Sequence, residues 1–302
     1  MAGQLETRIT QIAEELKGTM GVYVRALKTG ETVAVNADDP FQMASVYKIP
    51  ILVELLCQVE AKRWSLDDRV VLTDEMKAPG SGVLKELSAG ASLTLQDLAT
   101  LMIIVSDNTA TDVLLGLVTK EAVNARLRQC GLSHTTVSMS CGELLYNLVG
   151  LSDAPDTAET RQTALGRLRR REIDFSARAY RDPVANMTTP RDMGTLLEAI
   201  ARPTSDGGAA AAGPLPATVC RGTLDIMRRQ QMRDRLPLLL PPAVEIAHKT
   251  GSEPRVSNDA GVLYAPAGVC IVTVFTRDLE SDVEGATAIG HVGRAVYDAY
   301  AA

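Results

Sequence analysis

The spacing of apolar residues near the N-terminus predicts a helix followed by two strands. Apolar side chains between residues 5 and 16 recur every three or four positions, as along one face of a helix, and Gly18 ends the run. Two stretches rich in β-forming residues, 20–27 and 32–35, follow, with a Gly-containing turn at 28–31 between them. This end of the chain therefore predicts the order helix, strand, strand.

From Ser45 onward the apolar spacing becomes helical, and strand-like runs return only near the C-terminus. The predicted helices of this long block are 49–61, 95–105, 109–117, 121–130 and 190–200. The low-complexity run 206–214, rich in Gly and Ala, predicts an exposed loop. After it come a short predicted helix, three predicted strands and a last helix, at 224–232, 244–248, 256–265, 269–276 and 283–300.

The first and last predicted strands must share one sheet, because a two-stranded hairpin is only marginally stable alone. The chain is therefore expected to have an α/β (α+β) fold, with an antiparallel sheet flanked by the terminal helices and a large all-helical insertion. We predict one discontinuous sheet domain, 1–40 plus 203–302, and a helical domain, 41–202, that carries Ser45.

Composition and charge narrow the classes of partner. The 302 residues are 46% hydrophobic and 23% charged, which is ordinary for a globular protein with a substantial core. The net charge of −6 argues against a nucleic-acid partner, which would require a basic face. No apolar run approaches the ~18–20 residues of a membrane span, so we expect no membrane partner either.

The cysteines and the N-terminal sequence indicate in which cellular compartment the protein is expected. The five cysteines are scattered and show no zinc-like spacing, so we expect buried reduced thiols and no metal site. The N-terminus lacks the basic start, apolar run and small-residue cleavage site of a signal peptide. Both features favour a cytoplasmic protein, with a periplasmic or secreted location as the alternative if a signal has been removed.

Three short motifs, in a fixed order, carry the candidate chemistry. Ser45 and Lys48 form an S-x-x-K sequence, which on a helix places a hydroxyl and an amine one turn apart. A neutral amine there can take the hydroxyl proton and make the serine a nucleophile. Ser106-Asp107-Asn108 and Lys249-Thr250-Gly251 follow as the two other walls of such a site. Each motif alone is weak, but the three in this order are a strong signal.

A second K-T-G sequence, Lys28-Thr29-Gly30, requires a choice between the two copies. It precedes Ser45 and occupies a predicted turn, where the glycine is explained by backbone geometry. The copy that starts at Lys249 follows the strand-like run 244–248 and precedes two further predicted strands. Only this second copy is expected to line a site.

The whole layout resembles class A β-lactamases and the wider group of penicillin-recognising serine hydrolases. The three motifs match the signature of that group, S-x-x-K, S-D-N and K-T-G. The match extends over most of the chain and includes the segments 41–48, 101–110, 188–193, 247–252 and 258–261. The resemblance implies a β-lactamase/transpeptidase-like fold, with no metal and no cofactor.

The resemblance also implies catalytic roles. Ser45 would be the acylated nucleophile, Lys48 would help to deprotonate it, and Ser106 would relay a proton to the leaving nitrogen. Lys249 would complete the catalytic set.

The substrate would be held by groups on two walls of the site. Asn108 would bind a substrate amide, and Lys249, Thr250 and Ser252 would hold a carboxylate beside Gly251. The backbone N–H groups of Ser45 and Ser252 would stabilise the oxyanion that develops during attack.

The departure from this family is in the Ω-loop, where class A enzymes place E-x-x-L-N and use its Glu to activate the deacylating water. Between Gly131 and Pro190 this chain is longer than that pattern by about twenty residues. The segment 143–147 has the shape of the box but lies far from Pro190 along the chain. Glu172 and Asp174 lie at nearly the right distance without the Asn, and Glu172 is expected to be an exposed charge in a basic helix.

The sequence therefore predicts a serine hydrolase that acts through a covalent acyl-enzyme on a small-molecule substrate. β-Lactams are the leading substrate class, and the altered Ω-loop predicts slow turnover. An esterase, amidase or peptidase on another small acyl substrate is one alternative. A penicillin-binding protein that is acylated with little turnover is the other. Glu172, Asp174 and Lys48 remain open as activators of the deacylating water.

Overall fold

The computed structural model of the chain describes residues 2–155, 157–182, 185–205 and 213–301. Most of the predicted loop at 206–214, from residue 206 to residue 212, lies outside the described residues. The other predicted elements can each be compared with what the structure contains.

The described residues form eleven helices and nine strands. The helices are α1 (Ala2–Glu15), α2 (Lys48–Glu60), α3 (Leu95–Ile104), α4 (Asn108–Val118), α5 (Lys120–Gln129), α6 (Cys141–Leu148), α7 (Ala158–Arg169), α8 (Arg178–Arg181), α9 (Pro190–Ser205), α10 (Ala217–Met227) and α11 (Asp282–Ala299). The strands are β1 (Thr19–Ala26), β2 (Thr32–Val35), β3 (Phe41–Gln42), β4 (Arg69–Val71), β5 (Ser92–Thr94), β6 (Met187–Thr188), β7 (Ile246–Glu253), β8 (Val256–Ala265) and β9 (Gly268–Arg277).

The main sheet has the strand order β2-β1-β9-β8-β7, and all its pairs are antiparallel. Strands from both ends of the chain therefore share one sheet, with the helical block inserted between them. This confirms the predicted fold class. The division into two domains at residues 40/41 and 202/203 stays a prediction.

Both faces of this sheet are buried, and β9 shows why. Its side chains alternate between the two faces, as in any strand. Ile271 and Phe275 belong to the core shared with the helical block, whereas Cys270, Val272 and Val274 belong to the core under α1 and α11. The central strands are consequently apolar on both sides, and the helical block is seated firmly on one face of the sheet.

One predicted helix is misplaced. The helix predicted at 224–232 is α10, which begins at Ala217 directly after Pro216 and ends at Met227. Pro216 has the extended backbone of a residue that precedes a helix, and the buried Val219 and Cys220 belong to the first two turns. The start of α10 carries no clear signal in the sequence because a low-complexity segment rich in Gly and Ala precedes it.

Two small sheets were also not predicted. β3 pairs with β6, and β4 pairs with β5, through two and three residue pairs respectively. Strands this short cannot show a recognisable alternation of apolar and polar residues. The β3–β6 pair matters for the site because it ties the segment entering Ser45 to residues 187–188. In the part of the chain that the structure describes, no helix is both long enough and apolar enough to span a bilayer.

Candidate active site

Ser45 lies in a tight turn between β3 and α2. Residues Ala44–Tyr47 form a 3-10 turn that continues directly into α2, and Ala44 has a φ of +45°. Strand β7 passes so close that a Cβ on Gly251 would lie 2.7 Å from the Met43 carbonyl oxygen and 3.2 Å from the Ser45 nitrogen. Glycine is therefore needed in the K-T-G motif because the strand packs against the nucleophile turn.

Asn258 on β8 holds the other side of this turn. Its side-chain Nδ2 donates to the Gln42 carbonyl oxygen at 2.8 Å and to the Met43 carbonyl oxygen at 3.2 Å. Its Oδ1 accepts a hydrogen bond from the Thr276 backbone N–H at 2.9 Å. A buried amide with both ends satisfied thus fixes the backbone that leads to Ser45.

Lys48 is fully buried beneath Ser45. Its Nζ donates to Ser106 Oγ at 3.1 Å, to the Ser106 carbonyl oxygen at 2.8 Å and to Asn108 Oδ1 at 2.8 Å. Burial lowers the pKa of Lys48 because the charged amine is poorly solvated there. This lysine is therefore oriented by the second motif and biased toward the neutral form that a base requires.

Lys249 reaches the same hydroxyl from the opposite wall. Its Nζ lies 3.1 Å from Ser106 Oγ and 2.7 Å from the Thr250 carbonyl oxygen, and the side chain is fully buried. Burial lowers the pKa of Lys249 strongly, and the neighbouring Lys48 amine lowers it further. The three motifs therefore meet at one atom, Ser106 Oγ. Lys28, in the other K-T-G sequence, is exposed in the β1–β2 turn.

The S-D-N segment owes its shape to Asp107. Ser106 has a φ of +56°, which a chain adopts only where its surroundings require it. The Asp107 carboxylate caps α4 by accepting from the Ala110 N–H at 2.9 Å, and it also accepts from the N–H groups of Val83 and Leu84 at 2.6 and 2.9 Å. This aspartate locks the turn that presents Ser106 to both lysines.

Asn108 connects the second motif to the neighbouring loop. Its Oδ1 accepts from Lys48, and its Nδ2 donates to the Pro79 carbonyl oxygen at 2.8 Å. The backbone passes close here too, because a Cβ on Gly80 would lie 2.6 Å from Asn108 Nδ2. The amide predicted to bind substrate is thus part of the wall formed by residues 79–80.

Arg235 belongs to the K-T-G wall, although no motif indicated it. Its Nη1 donates to the carbonyl oxygens of Gly251 and Asn258 at 2.9 and 3.0 Å, and its Nη2 donates to Ser252 Oγ at 2.6 Å. Thr250, which precedes Gly251, is buried, whereas Ser252 is exposed. The Arg235 guanidinium therefore lies near Lys249, at the predicted carboxylate-binding end.

Helix α6 forms one wall of the site, although its distance along the chain from Pro190 did not indicate this. The segment 143–147 is distant from Pro190 along the chain, yet α6, which contains it, begins at Cys141 beside Tyr47 of the nucleophile turn. The Asp112 carboxylate of α4 accepts from the Cys141 and Gly142 N–H groups at 2.6 and 2.9 Å, which anchors this end of the helix. The extra residues instead follow α6 and include α7.

The side chain that α6 directs toward the nucleophile is a thiol. Cys141 Sγ lies 3.0 Å from the Tyr47 hydroxyl, and Cys141 lies near enough to the Lys48 amine to raise the pKa of that lysine, which opposes the larger effect of burial. Burial raises the pKa of Cys141 to about 12, so the thiol is neutral. Glu143 faces away, because its carboxylate caps its own helix at the Ser140 N–H and pairs with Lys120.

The two Ω-loop carboxylates proposed from sequence lie apart from these side chains. Glu172 pairs with Arg170 at 2.6 Å, and half of its side chain is exposed. Asp174 is bound to the Ser176 N–H and hydroxyl at 2.9 and 2.6 Å. These partners hold both carboxylates at the surface, as expected for Glu172.

Among the described residues, no group of three or more His, Cys, Asp or Glu side chains could hold a metal ion.

Comparisons with known proteins agree with this geometry. A family model described as the β-lactamase enzyme family matches residues 4–300. The chain is 28% identical over 272 residues to the β-lactamase regulatory protein BlaB of Streptomyces cacaoi, covering 86% of this chain and 84% of that protein.

Solved structures show the same similarity. A β-lactamase from Sphaerobacter thermophilus is 30% identical, with a TM-score of 0.79 and coverage of 99% of this chain and 98% of that chain. A variant of PBP-A in an acyl-enzyme complex with penicillin G is 26% identical, with a TM-score of 0.77 and coverage of 99% and 96%.

Proposed function

Because the chain belongs to the β-lactamase enzyme family, we propose that it is a serine hydrolase that β-lactams acylate at Ser45 and that releases the product slowly. The observation that carries this proposal is the junction beneath Ser45, where Ser106 Oγ lies 3.1 Å from the Nζ atoms of both Lys48 and Lys249. This junction connects the nucleophile turn to a proton acceptor and a proton relay.

Acylation uses the neutral form of Lys48. Its amine takes the Ser45 proton as Oγ attacks the lactam carbonyl carbon, and the backbone N–H groups of Ser45 and Ser252 stabilise the oxyanion. The lactam C–N bond then breaks. Ser106, bound to both lysines, passes its own hydroxyl proton to the leaving nitrogen and is reprotonated from Lys48. The product of this step is an ester of Ser45 with the opened lactam.

The carboxylate of a β-lactam would be bound at the K-T-G wall. Lys249, Thr250 and Ser252 provide an amine and two hydroxyls there, and Arg235 adds a guanidinium that already donates to Ser252 Oγ. Charge-assisted hydrogen bonds to a carboxylate are the strong ones, so this end of the site favours acidic substrates.

Slow release is supported by what faces Lys48 from α6. The Cys141 thiol is neutral and cannot act as the carboxylate base that hydrolysis of an ester requires. Glu172 and Asp174 are engaged at the surface. The same observation favours the second candidate function, a penicillin-binding protein that is acylated with little turnover. One relative, BlaB, is named as a regulatory protein and not as an enzyme.

A labelling experiment tests acylation. A fluorescent penicillin is expected to label the wild type covalently, and Ser45→Ala is expected to abolish labelling because it removes the hydroxyl one turn from Lys48. Ser88→Ala, at an exposed position, is the matched control and should label as the wild type does. Equal labelling of wild type and Ser45→Ala would overturn the assignment of the nucleophile.

A further inference from the structure

Glu253, the last residue of β7, is a buried carboxyl that the acylation chemistry does not use. The residue is 8% exposed, and its Oε2 is enclosed with no hydrogen-bond partner. Within the described residues, Glu253 forms no ion pair. Burying an unpaired polar group costs free energy, so a carboxyl in such a place requires an explanation.

The position of Glu253 on β7 aims it at the nucleophile turn. Alternate residues of a strand share a face, so Lys249, Gly251 and Glu253 lie on one side of β7. Lys249 reaches Ser106 from this face, and the Cα of Gly251 faces the Ser45 nitrogen. Glu253 follows about 7 Å further along the strand. Its carboxyl therefore lies beside the Ser45 turn, on the side opposite to Lys249.

The groups that face this carboxyl are two tyrosines. Tyr47, in the nucleophile turn, has a pKa raised by burial and by nearby acidic groups, of which Glu253 is one. Tyr180, on α8, has a pKa raised by burial and then by Glu253 and Asp282, and Arg255 opposes this. The Tyr180 hydroxyl donates to the Pro254 carbonyl oxygen at 3.0 Å, so α8 lies against the end of β7 that carries Glu253.

The protonation of Glu253 is set by burial. With no cation bound to it, burial raises the pKa of Glu253 to about 8. The carboxyl is accordingly mostly protonated at pH 7 and becomes a carboxylate just above neutrality. A general base works best when its pKa lies near the working pH.

We propose that Glu253 is the general base of the hydrolytic half-reaction, which rests on the proposed acylation of Ser45. In the acyl-enzyme, the Glu253 carboxylate takes a proton from a water molecule as the water oxygen attacks the ester carbon. The bond from that carbon to Ser45 Oγ then breaks, and the proton passes from Glu253 to Ser45 Oγ. The product is the free acid, and both side chains return to their starting forms.

A rate that depends on pH follows from this step. Only the carboxylate form accepts the proton, so hydrolysis is slow at pH 6.5, rises as the pH passes through about 8, and levels off above the pKa of Glu253. Simple attack by hydroxide would instead rise tenfold for each pH unit without levelling off. The slow turnover proposed above is then the behaviour of a base that is mostly protonated at neutral pH.

The decay of a purified penicillin adduct tests the proposal. The protein is acylated with benzylpenicillin, freed of excess penicillin, and followed by intact mass between pH 6.5 and pH 10. The wild-type decay rate should rise at least about tenfold and then level off. Glu253→Gln should acylate normally but decay at least about tenfold more slowly at pH 9, since a general base typically contributes ~10²–10⁴-fold. Glu245→Gln, at the exposed residue just before β7, should match the wild type.

The outcomes separate the two proposals. Normal acylation with the same decay rate and pH profile in wild type and Glu253→Gln would overturn the role of Glu253 alone. A flat wild-type profile would do the same, whether or not the variant folds. A wild type that forms no adduct would overturn the proposed function, and the role of Glu253 with it.

Discussion

Two buried lysine amines contact the hydroxyl of Ser106, and this arrangement controls proton transfer in the site. Two positive charges in one dry site repel each other, so the Lys48 amine lowers the pKa of Lys249. The pKa of each is lowered, mainly by burial. A neutral amine is thus available to take the Ser45 proton, while the Arg235 guanidinium keeps the K-T-G wall suited to an anionic substrate.

The two K-T-G sequences give a prediction at this scale. Lys249→Ala should lower kcat/KM for acidic substrates by about tenfold or more, because a charge-assisted hydrogen bond to a carboxylate contributes ~1.5–3 kcal/mol. Lys28→Ala, in the exposed β1–β2 turn, should leave kcat/KM within about twofold of the wild type. Steady-state kinetics with an acidic chromogenic substrate measures both. Similar losses in the two variants would contradict the choice of Lys249.

The residues that the sequence predicted and those that it missed differ in how they are positioned. Ser45 and Lys48 are one turn apart, so a short motif contains their geometry. Arg235 lies in a loop and reaches Ser252 only because the chain folds back onto β7. Glu253 is an ordinary-looking strand residue until its burial is known. Residues of this second kind carry no local pattern that a sequence could reveal.

At the scale of elements, the position of α6 determines which side chains face the acyl-enzyme from the Ω-loop side. Distance along the chain from Pro190 favours Glu172, which lies at nearly the distance that the class A pattern requires. The fold instead positions α6 by the contact of Asp112 with its first turn. Distance along the chain from Pro190 therefore does not locate the element on the Ω-loop side of the site, and the helix that lies near Lys48 on this side begins at Cys141.

A substitution in α6 tests this placement. Cys141→Glu would put a carboxyl against Lys48, and we expect the penicillin adduct to decay at least about tenfold faster, since a well-placed base contributes ~10²–10⁴-fold. Cys141→Ala removes the thiol without adding a base and should leave the decay rate within about threefold of the wild type. Intact mass of the purified adduct measures the decay, and circular dichroism checks the fold of each variant.

Glu172→Gln is the companion variant. Its side chain is half exposed and paired with Arg170, so the adduct should decay at the wild-type rate. A collapse of turnover in Glu172→Gln, with no gain in Cys141→Glu, would mean that the base comes from the segment after α7 and not from the walls described here.

For the whole molecule, the sequence predicted the antiparallel sheet with terminal helices and a helical insertion, because long apolar runs at both ends had to pair. It did not predict β3 and β6, whose two-residue pairing joins residues 41–42 to residues 187–188. Such contacts depend on the packing of distant segments. The β3–β6 contact nevertheless helps to position the segment that leads to Ser45.

The central claim is a covalent acyl-enzyme on Ser45 that forms readily and breaks down slowly at neutral pH. The most direct test is a time course of intact mass at pH 7 after mixing the protein with a slight excess of benzylpenicillin. We expect the mass to increase by one penicillin molecule, to persist after the free penicillin is removed, and to map to the peptide that contains Ser45. Complete destruction of the penicillin with no adduct at any time, or an adduct on another residue, would contradict this account.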